Sequence, residues 1–437
     1  MKNIVILGAG ESGIGAALLA RQNRHHVFVS DRGGIDSTYK SELESHGIAY
    51  EEGQHTRERI LQADEVIKSP GIPDRIPLIQ ELVGKGLPVI SEIEYAARYH
   101  RSKVIGITGS NGKTTTTRLA FHLLQTAGFD VEMGGNVGKS FARCLTERHR
   151  AHYVLELSSF QLDGIVDFRP DIGMILNISP DHLDRYEYKM ENYIRAKFRI
   201  AMNQVPEDVF LYQADNEHIA AFLPAHRILA RRLPIESHQV RGAALTAAGH
   251  RFDLRPTRLR GLHNAYNAVF AATAALHWGA SPEAIQRGLD TFTPVPHRME
   301  VVGTYGGVEY INDSKATNVD AVYYALDAMP EGVVWIAGGQ DKGNDYQPLQ
   351  PLVRRKVRVL VALGLDNEKL KAAFANQVDT FVETRSAEEA VAQARRLAKT
   401  GEKVLLSPAC ASFDLFKNYE QRGEQFKAAI AQLNKTD

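Results

Sequence analysis

The sequence predicts an α/β protein of three domains built on parallel sheets, and three observations carry that expectation. At 437 residues the chain exceeds what one hydrophobic core usually organises. Short apolar runs alternate with helical stretches almost throughout, the pattern of parallel strands covered by helices. Two glycine-rich turns, "GAGESG" and "TGSNGKTT", each join such a run to a helical stretch.

The runs fall into three sets. "NIVILGAG", "HVFVSD" and "EVIKSPG" come first, "KVIGITG", "YVLELSS" and "IGMILNIS" follow, and "GVVWIAGG", "VRVLVALG" and "KVLLSPACAS" make the last. The Pro-rich "FTPVPHRME" before the last set reads as a linker, and the stretch from Val89 to Tyr95 as the other boundary. The expected domains are therefore 1–92, 93–297 and 298–437. No low-complexity tract or short repeat interrupts them.

Composition narrows the class. Hydrophobic residues at 44% and charged residues at 24% are ordinary globular values. Lys+Arg and Asp+Glu are both 52, so no net charge draws the chain to nucleic acid or to an anionic membrane, and neither is expected as a partner. Cys144 and Cys410 lie far apart without metal-ligand spacing, which suits a reducing cytosol. "MKNIVILGAG" is too short for a signal h-region and breaks at Gly8, and no later apolar run is long enough to span a bilayer. The expectation is a soluble cytoplasmic protein.

The second glycine turn has the makings of a phosphate loop. Val104 to Ile107 fits a buried strand, and "RLAFHLLQTAG" carries apolar residues at helical spacing. Gly109 and Gly112 leave room for backbone N–H groups to face an anion at the helix N-terminus. Lys113 can reach terminal phosphates, and Thr114 can place its hydroxyl on Mg²⁺. The G-x-x-x-x-G-K-[ST] pattern fails at its first glycine, where Ile107 stands, so this is a variant loop. The first turn offers a rival: Gly8, Gly10 and Gly13 have G-x-G-x-x-G spacing and Asp31 ends the next strand, as in an NAD-dependent oxidoreductase. The same turn also holds any diphosphate at a helix N-terminus.

Nucleotide phosphates bring Mg²⁺, so acidic residues at strand tips matter. Glu156 lies between Leu155 and Leu157 in an apolar strand, where a carboxylate needs a partner. Asp181, His182 and Asp184 cluster in "NISPDHLDRY" at the end of another strand. In "YIRAKFRIA", Tyr193, Ile194, Lys197, Ile200 and Ala201 share one helical face, so Lys197 sits on the apolar side. Such a lysine either snorkels its ammonium to water or stays buried with a lowered pKa. A buried amine can add CO₂, and the resulting carbamate offers oxygens to Mg²⁺.

With "TGSNGKTT", "ELSSFQL", "SPDHLDRY", "GLHNAYNA", "HRME", "INDSKATN" and "SPACASFDLFKNYEQRG" in that order, the chain resembles the Mur ligases over essentially its whole length. The last two motifs are similar to those of the D-glutamate-adding member. The resemblance implies a Rossmann-like N-terminal domain for a UDP end, a central P-loop ATPase-type domain with a parallel or mixed sheet, and a Rossmann-like C-terminal domain for the amino acid. It implies that ATP converts the carboxylate of UDP-N-acetylmuramoyl-L-alanine to an acyl phosphate, which the amine of D-glutamate attacks, in a protein acting as a monomer. A sibling ligase adding another amino acid is the nearest alternative.

Carried over motif by motif, the resemblance puts ATP on Gly109, Ser110, Asn111, Gly112, Lys113, Thr114 and Thr115, with Asn267, Arg298, Asp313 and Lys315. One Mg²⁺ falls to Thr114 and Glu156, a second to His182 and carbamylated Lys197. Lys113, Glu156, His182 and Lys197 would carry the catalysis. Ser12, Asp31, Arg32 and Gly71 would hold the uracil and diphosphate, with Asn136 on the same substrate. Thr317, Lys342, Ser412, Phe413 and Tyr419 would form the D-glutamate pocket. Three positions depart from other members: Glu11 replaces an apolar residue in the first turn, and Phe413 and Tyr419 stand where Leu and Phe are usual.

Overall fold

A computed structural model describes residues 1–259, 261–294 and 296–433. The chain divides into two compact units, one of Met1–Thr257 with Tyr266–Phe292, the other of Arg258–Ala265 with the chain from Thr293 onward. Val295, within the expected Pro-rich linker, lies outside the described residues.

The first unit holds two parallel sheets. In the N-terminal one, β1 (Asn3–Leu7), β2 (His26–Asp31), β3 (Ala49–Glu52), β4 (Glu65–Lys68) and β5 (Val89–Ile90) are ordered β3-β2-β1-β4-β5. The order reverses at β1, so the turn Gly8–Gly10 opens at a switch point, where parallel α/β sheets bind ligands. Gly13 makes that turn possible, because a Cβ there would stand 1.9 Å from Gly8 O.

The central sheet has six strands, β6 (Lys103–Thr108), β7 (Val131–Gly135), β8 (His152–Glu156), β9 (Ile172–Ile175), β10 (Val209–Gln213) and β11 (Arg231–Ile235), in the order β11-β10-β9-β6-β8-β7. Every pairing is parallel, so the sheet is not mixed. β6, flanked by β9 and β8, is its switch point. β6, β8 and β9 are buried along nearly their whole length, as strands covered on both faces must be. A single apolar core runs from Ile4 and Ile6, through the helix Glu11–Gln22, to Phe141, Tyr153 and Phe198, fusing the two sheets. A small antiparallel sheet of β12 (Val240–Arg241), β13 (Ala244–Ala247) and β14 (His250–Asp253) follows.

The second unit is one mixed sheet. Its strands are β15 (Glu300–Tyr305), β16 (Val308–Asn312), β17 (Val333–Gly338), β18 (Val357–Leu363), β19 (Thr380–Thr384) and β20 (Lys403–Ala409), ordered β15-β16-β20-β17-β18-β19. Only the hairpin β15/β16 is antiparallel. Among the described residues, no helix is long and apolar enough to cross a membrane.

Candidate active site

β6 delivers the chain to the second glycine turn, and the helix Lys113–Thr126 leaves it. Gly112 caps that helix at φ +84°, a conformation that suits glycine, and as the N-cap residue it brings no side chain of its own. A Cβ at Gly112 would also stand 2.5 Å from Asn267 Oδ1, so the helix Leu262–His277 brings Asn267 against the turn. The turn is braced by the chain after β9: Ser110 N–H donates to Asn177 O at 3.0 Å, and Asn111 N–H donates to Asn177 Oδ1 at 2.8 Å. Ser110 Oγ donates to Ser179 O and accepts from Ser179 N–H, so the serine anchors the loop from below. Thr114 and Thr115 open the helix, with Thr115 buried and Thr114 partly exposed.

Two lysines converge on one carbonyl. Lys113 Nζ curls back onto Gly109 O at 2.8 Å and Ser110 O at 2.9 Å, and Lys197 Nζ donates to the same Gly109 O at 2.8 Å. Lys197, on the helix Met190–Phe198, is 1% exposed, which leaves no route for snorkelling. Burial, and then the neighbouring Lys113 charge, hold its amine far below the usual lysine range. The Tyr193 ring lies 4.5 Å from the ammonium.

Glu156 ends β8 opposite Ile107, one residue short of the turn's approach. It is 3% exposed. Its Oε1 accepts from Asn136 Nδ2 at 2.9 Å, while Oε2 is buried with no partner among the described residues. Asn136 N–H donates to the Glu156 backbone carbonyl at 2.8 Å, so the loop after β7 is tied to Glu156 twice, once at its carboxylate and once at its main chain. His182 is half-exposed at φ +52°, its ring edge-on to Phe160 and its Nε2 3.6 Å from Asp181 Oδ2. Sequence reasoning missed Asn177, Asp163 and Arg185 here. Asp163 accepts from Tyr186 O–H at 2.8 Å, and Arg185 donates to Pro70 O and Gly71 O, joining the His182 segment to the expected UDP pocket.

In the N-terminal sheet, Asp31 accepts from Ala9 N–H at 2.6 Å and Gly33 N–H at 2.7 Å. One oxygen thus braces the glycine turn and the other the chain just after Asp31, and each keeps lone pairs for a further donor. Ser12 is partly exposed, and Arg32 and Gly71 are exposed. Glu11 faces away from the turn: it accepts from Ser140 N–H at 2.9 Å and Arg143 Nε at 2.8 Å.

The second unit gathers its residues at one sheet edge, where β16, β20 and β17 end side by side. Asp313 is 1% exposed and accepts from Ser407 Oγ at 2.9 Å, with Arg298 Nη1 3.8 Å away. Burial pushes its carboxyl up to about 6, against the pull of Arg298. Lys315 Nζ stands 5.2 Å from the Tyr419 ring. Thr317 and Tyr419 are partly exposed, Ser412 is buried, and Lys342 and Phe413 are exposed. Arg422, which the sequence did not single out, is 1% exposed and staples these loops. It donates to Ser314 Oγ at 3.0 Å, Ser314 O at 2.9 Å, Cys410 O at 3.3 Å and Gly338 O at 3.4 Å, and burial brings its pKa down to about 10. Its only sequence signal was the run "NYEQRG", where a charged residue reads as surface.

Residues 3–75 match the MurD N-terminal domain, 107–275 the Mur ligase middle domain and 297–410 the Mur ligase glutamate ligase domain. UDP-N-acetylmuramoylalanine–D-glutamate ligase of Christiangramia forsetii is 50% identical over 443 residues, covering 99% of this chain and 100% of the relative. The protein of the same name in Bacteroides fragilis is 49% identical with the same coverage. The fold is shared by MurF of Acinetobacter baumannii, with a TM-score of 0.64 at 16% identity over 99% of this chain and 93% of that one. It is also shared by UDP-N-acetylmuramate-alanine ligase MurC of Thermotoga maritima, at 0.60 and 16% over all of both chains.

Proposed function

The chain belongs to the Mur ligase family, and from that premise we propose that it joins D-glutamate to UDP-N-acetylmuramoyl-L-alanine at the expense of ATP, as a cytoplasmic monomer in peptidoglycan precursor synthesis. The names of full-length relatives near half identity support that substrate pair over those of sibling ligases. The observation that carries the chemistry is Glu156, a buried carboxylate with one oxygen unpartnered among the described residues, beside a glycine turn that opens a helix. An NAD-dependent oxidoreductase has no use for that combination.

A carboxylate is a poor electrophile until one oxygen becomes a leaving group. Transfer of the γ-phosphoryl group to the alanyl carboxylate forms an acyl phosphate and ADP. The D-glutamate amine then attacks the carbonyl carbon, the C–N bond forms, the bond to phosphate breaks, and the amine gives up a proton. The N–H groups of Gly112 to Thr115 face the phosphates, while Gly109, Ser110 and Asn111 shape the loop around them, the last two with their N–H groups bonded to Asn177. Lys113 exchanges its loop carbonyls for phosphate oxygens, and Asn267, Arg298, Asp313 and Lys315 complete the nucleotide contacts. Ser12, Asp31, Arg32, Gly71 and Asn136 serve the UDP substrate, and Thr317, Lys342, Ser412, Phe413 and Tyr419 the amino acid, across domains 1–92, 93–297 and 298–437.

The residues fit Mg²⁺. Thr114 and the free oxygen of Glu156 are hard donors for one ion, and His182 with a carbamate on Lys197 for a second. Among the described residues, no group of three or more His, Cys, Asp or Glu is arranged to hold a metal alone, and phosphate oxygens and water would complete the shell. Bound there, Mg²⁺ neutralises the crowded phosphate oxyanions. Burial supports the carbamate: it favours the neutral amine, which adds CO₂ and releases one proton to become an anion. The test is phosphate release from ATP with UDP-N-acetylmuramoyl-L-alanine and each candidate amino acid. D-Glutamate is expected to support it; efficient turnover with L-lysine or meso-diaminopimelate instead would overturn the assignment.

A further inference from the structure

A cavity of about 600 Å³ lies beside β11, the edge strand of the central sheet, between that strand, the hairpin β13/β14 and the C-terminal half of the helix Leu262–His277. Its polar lining includes Arg231, His250, His277 and Thr273, and its apolar lining includes Leu233, Ile235 and Leu276. None of its described lining residues is Asp or Glu. None of them belongs to the nucleotide, UDP or amino-acid sites above.

Arg231 Nη2 donates to His277 Nδ1 at 3.0 Å. A neutral imidazole that accepts at Nδ1 carries its proton on Nε2, so the pair presents a guanidinium and an imidazole N–H together. Thr273 is 5% exposed, and its Oγ1 is buried without a hydrogen-bond partner among the described residues. A helical threonine can satisfy its hydroxyl on the preceding turn's carbonyl; this one does not, although a buried hydroxyl left unpaired is costly. Donors without an acid to answer them, set against an aliphatic wall, describe an anion with an apolar body. The volume falls within the usual range for small-molecule sites.

We propose that this cavity is a binding site for a small organic carboxylate carrying an apolar body. The carboxylate lies on Arg231 and His277, the Thr273 hydroxyl finds its acceptor there, and Leu233, Ile235 and Leu276 take the hydrocarbon.

Calorimetry on the full chain without nucleotide tests it, using phenylacetate, hexanoate, neutral phenylacetamide and inorganic phosphate as probes. Saturable binding of the two carboxylates is expected, with phenylacetamide and phosphate each about tenfold weaker or worse. Arg231→Gln is expected to weaken phenylacetate by about tenfold or more. Thr273→Val removes only the unpartnered hydroxyl, so it should weaken binding severalfold while melting at or above the wild-type temperature. Both variants should keep D-glutamate-dependent phosphate release. Phosphate binding as tightly as phenylacetate would reduce the site to a bare anion hole and sink the apolar half of the proposal. Absence of saturable binding, amide binding equal to the acid, or affinity unchanged in both variants would overturn it altogether.

Discussion

Lys197 and Glu156 carry ionisable groups into places water does not reach, and one Glu156 oxygen has no partner among the described residues. If the lysine is carbamylated, Lys197→Arg keeps the positive charge but loses the reactive amine and should be inactive. Lys197→Ala should be inactive yet partly rescued by a small added carboxylate. ¹³C-bicarbonate with NMR detection should report the carbamate in the wild type; an active, folded Arg variant with no such signal would return Lys197 to a plain cation. Glu156→Gln keeps an acceptor for Asn136 but removes the metal-binding charge. Activity should fall about a hundredfold or more, and the melting temperature should hold or rise because an incompletely paired buried charge is gone. Wild-type dependence of phosphate release on Mg²⁺ in that variant would remove Glu156 from the metal. Both residues were visible in the sequence, since a charge on an apolar stripe or strand breaks the pattern around it. Asn177 and Arg422 were not, because a polar residue bonded to the backbone of a distant loop leaves no periodic trace.

At the scale of elements, the helix Phe141–Glu147 shows how the two sheets of the first unit are joined. Its N-terminal N–H groups meet two carboxylates from other helices: Glu11 accepts from Ser140 N–H, and Glu92 Oε1 accepts from Ala142 N–H at 2.5 Å. Both suit the positive end of the helix dipole. Glu92 is 2% exposed with Oε2 unpartnered, and burial pushes its carboxyl up from 4.5 to about 8. A carboxyl with a raised folded pKa binds its proton more tightly in the native state. Its contribution is therefore unperturbed below pH 4.5, and stability is lost as pH rises from there to about 8, by an amount on the order of a few kcal/mol. Glu92→Gln keeps the acceptor for Ala142 and cannot ionise. Urea unfolding at about pH 5 and about pH 9 should show the variant gaining on the wild type at the higher pH; an unchanged difference between the two pH values would place the ionisation elsewhere. The strands themselves were unevenly legible. β1, β6, β8, β9, β17, β18 and β20 are apolar runs that stand out because the sheet buries them. β7, with Glu132 in "VEMGG", and β19, with Glu383 in "TFVET", lie at sheet edges and mix polar with apolar residues, so tertiary pairing decides them. The antiparallel β12 to β14 are too short to give a period.

Across the whole molecule, the proposed work is divided among three sheets, each of which ends in its own turn or loops. The turn at Gly8–Gly10 opens from β1, the phosphate loop from β6, and the amino-acid residues from the ends of β16, β17 and β20. The sequence suggests this division, because each set of apolar runs ends in its own motif. It did not announce the two compact units, since Arg258–Ala265 joins the second unit while the rest of its helix stays with the first, a crossing that no local pattern encodes. The division makes a prediction for Lys113, which bonds the loop's own Gly109 and Ser110 carbonyls and follows a different sheet from Asp31 and Arg32. Lys113→Ala should abolish acyl-phosphate formation, read as loss of D-glutamate-dependent phosphate release, because the charge on the transferring phosphoryl group loses its counter-ion. Calorimetry should still find UDP-N-acetylmuramoyl-L-alanine bound within about threefold of the wild-type affinity, since additivity holds for sites that share no partners. Removing the ammonium also frees Gly109 O for Lys197 alone, so the loop keeps one of its two braces and the fold should survive. A variant that lost sugar-nucleotide binding along with turnover would mean that the phosphate loop and the UDP turn act as one site, and the assignment of separate tasks to the two sheets of the first unit would have to be abandoned.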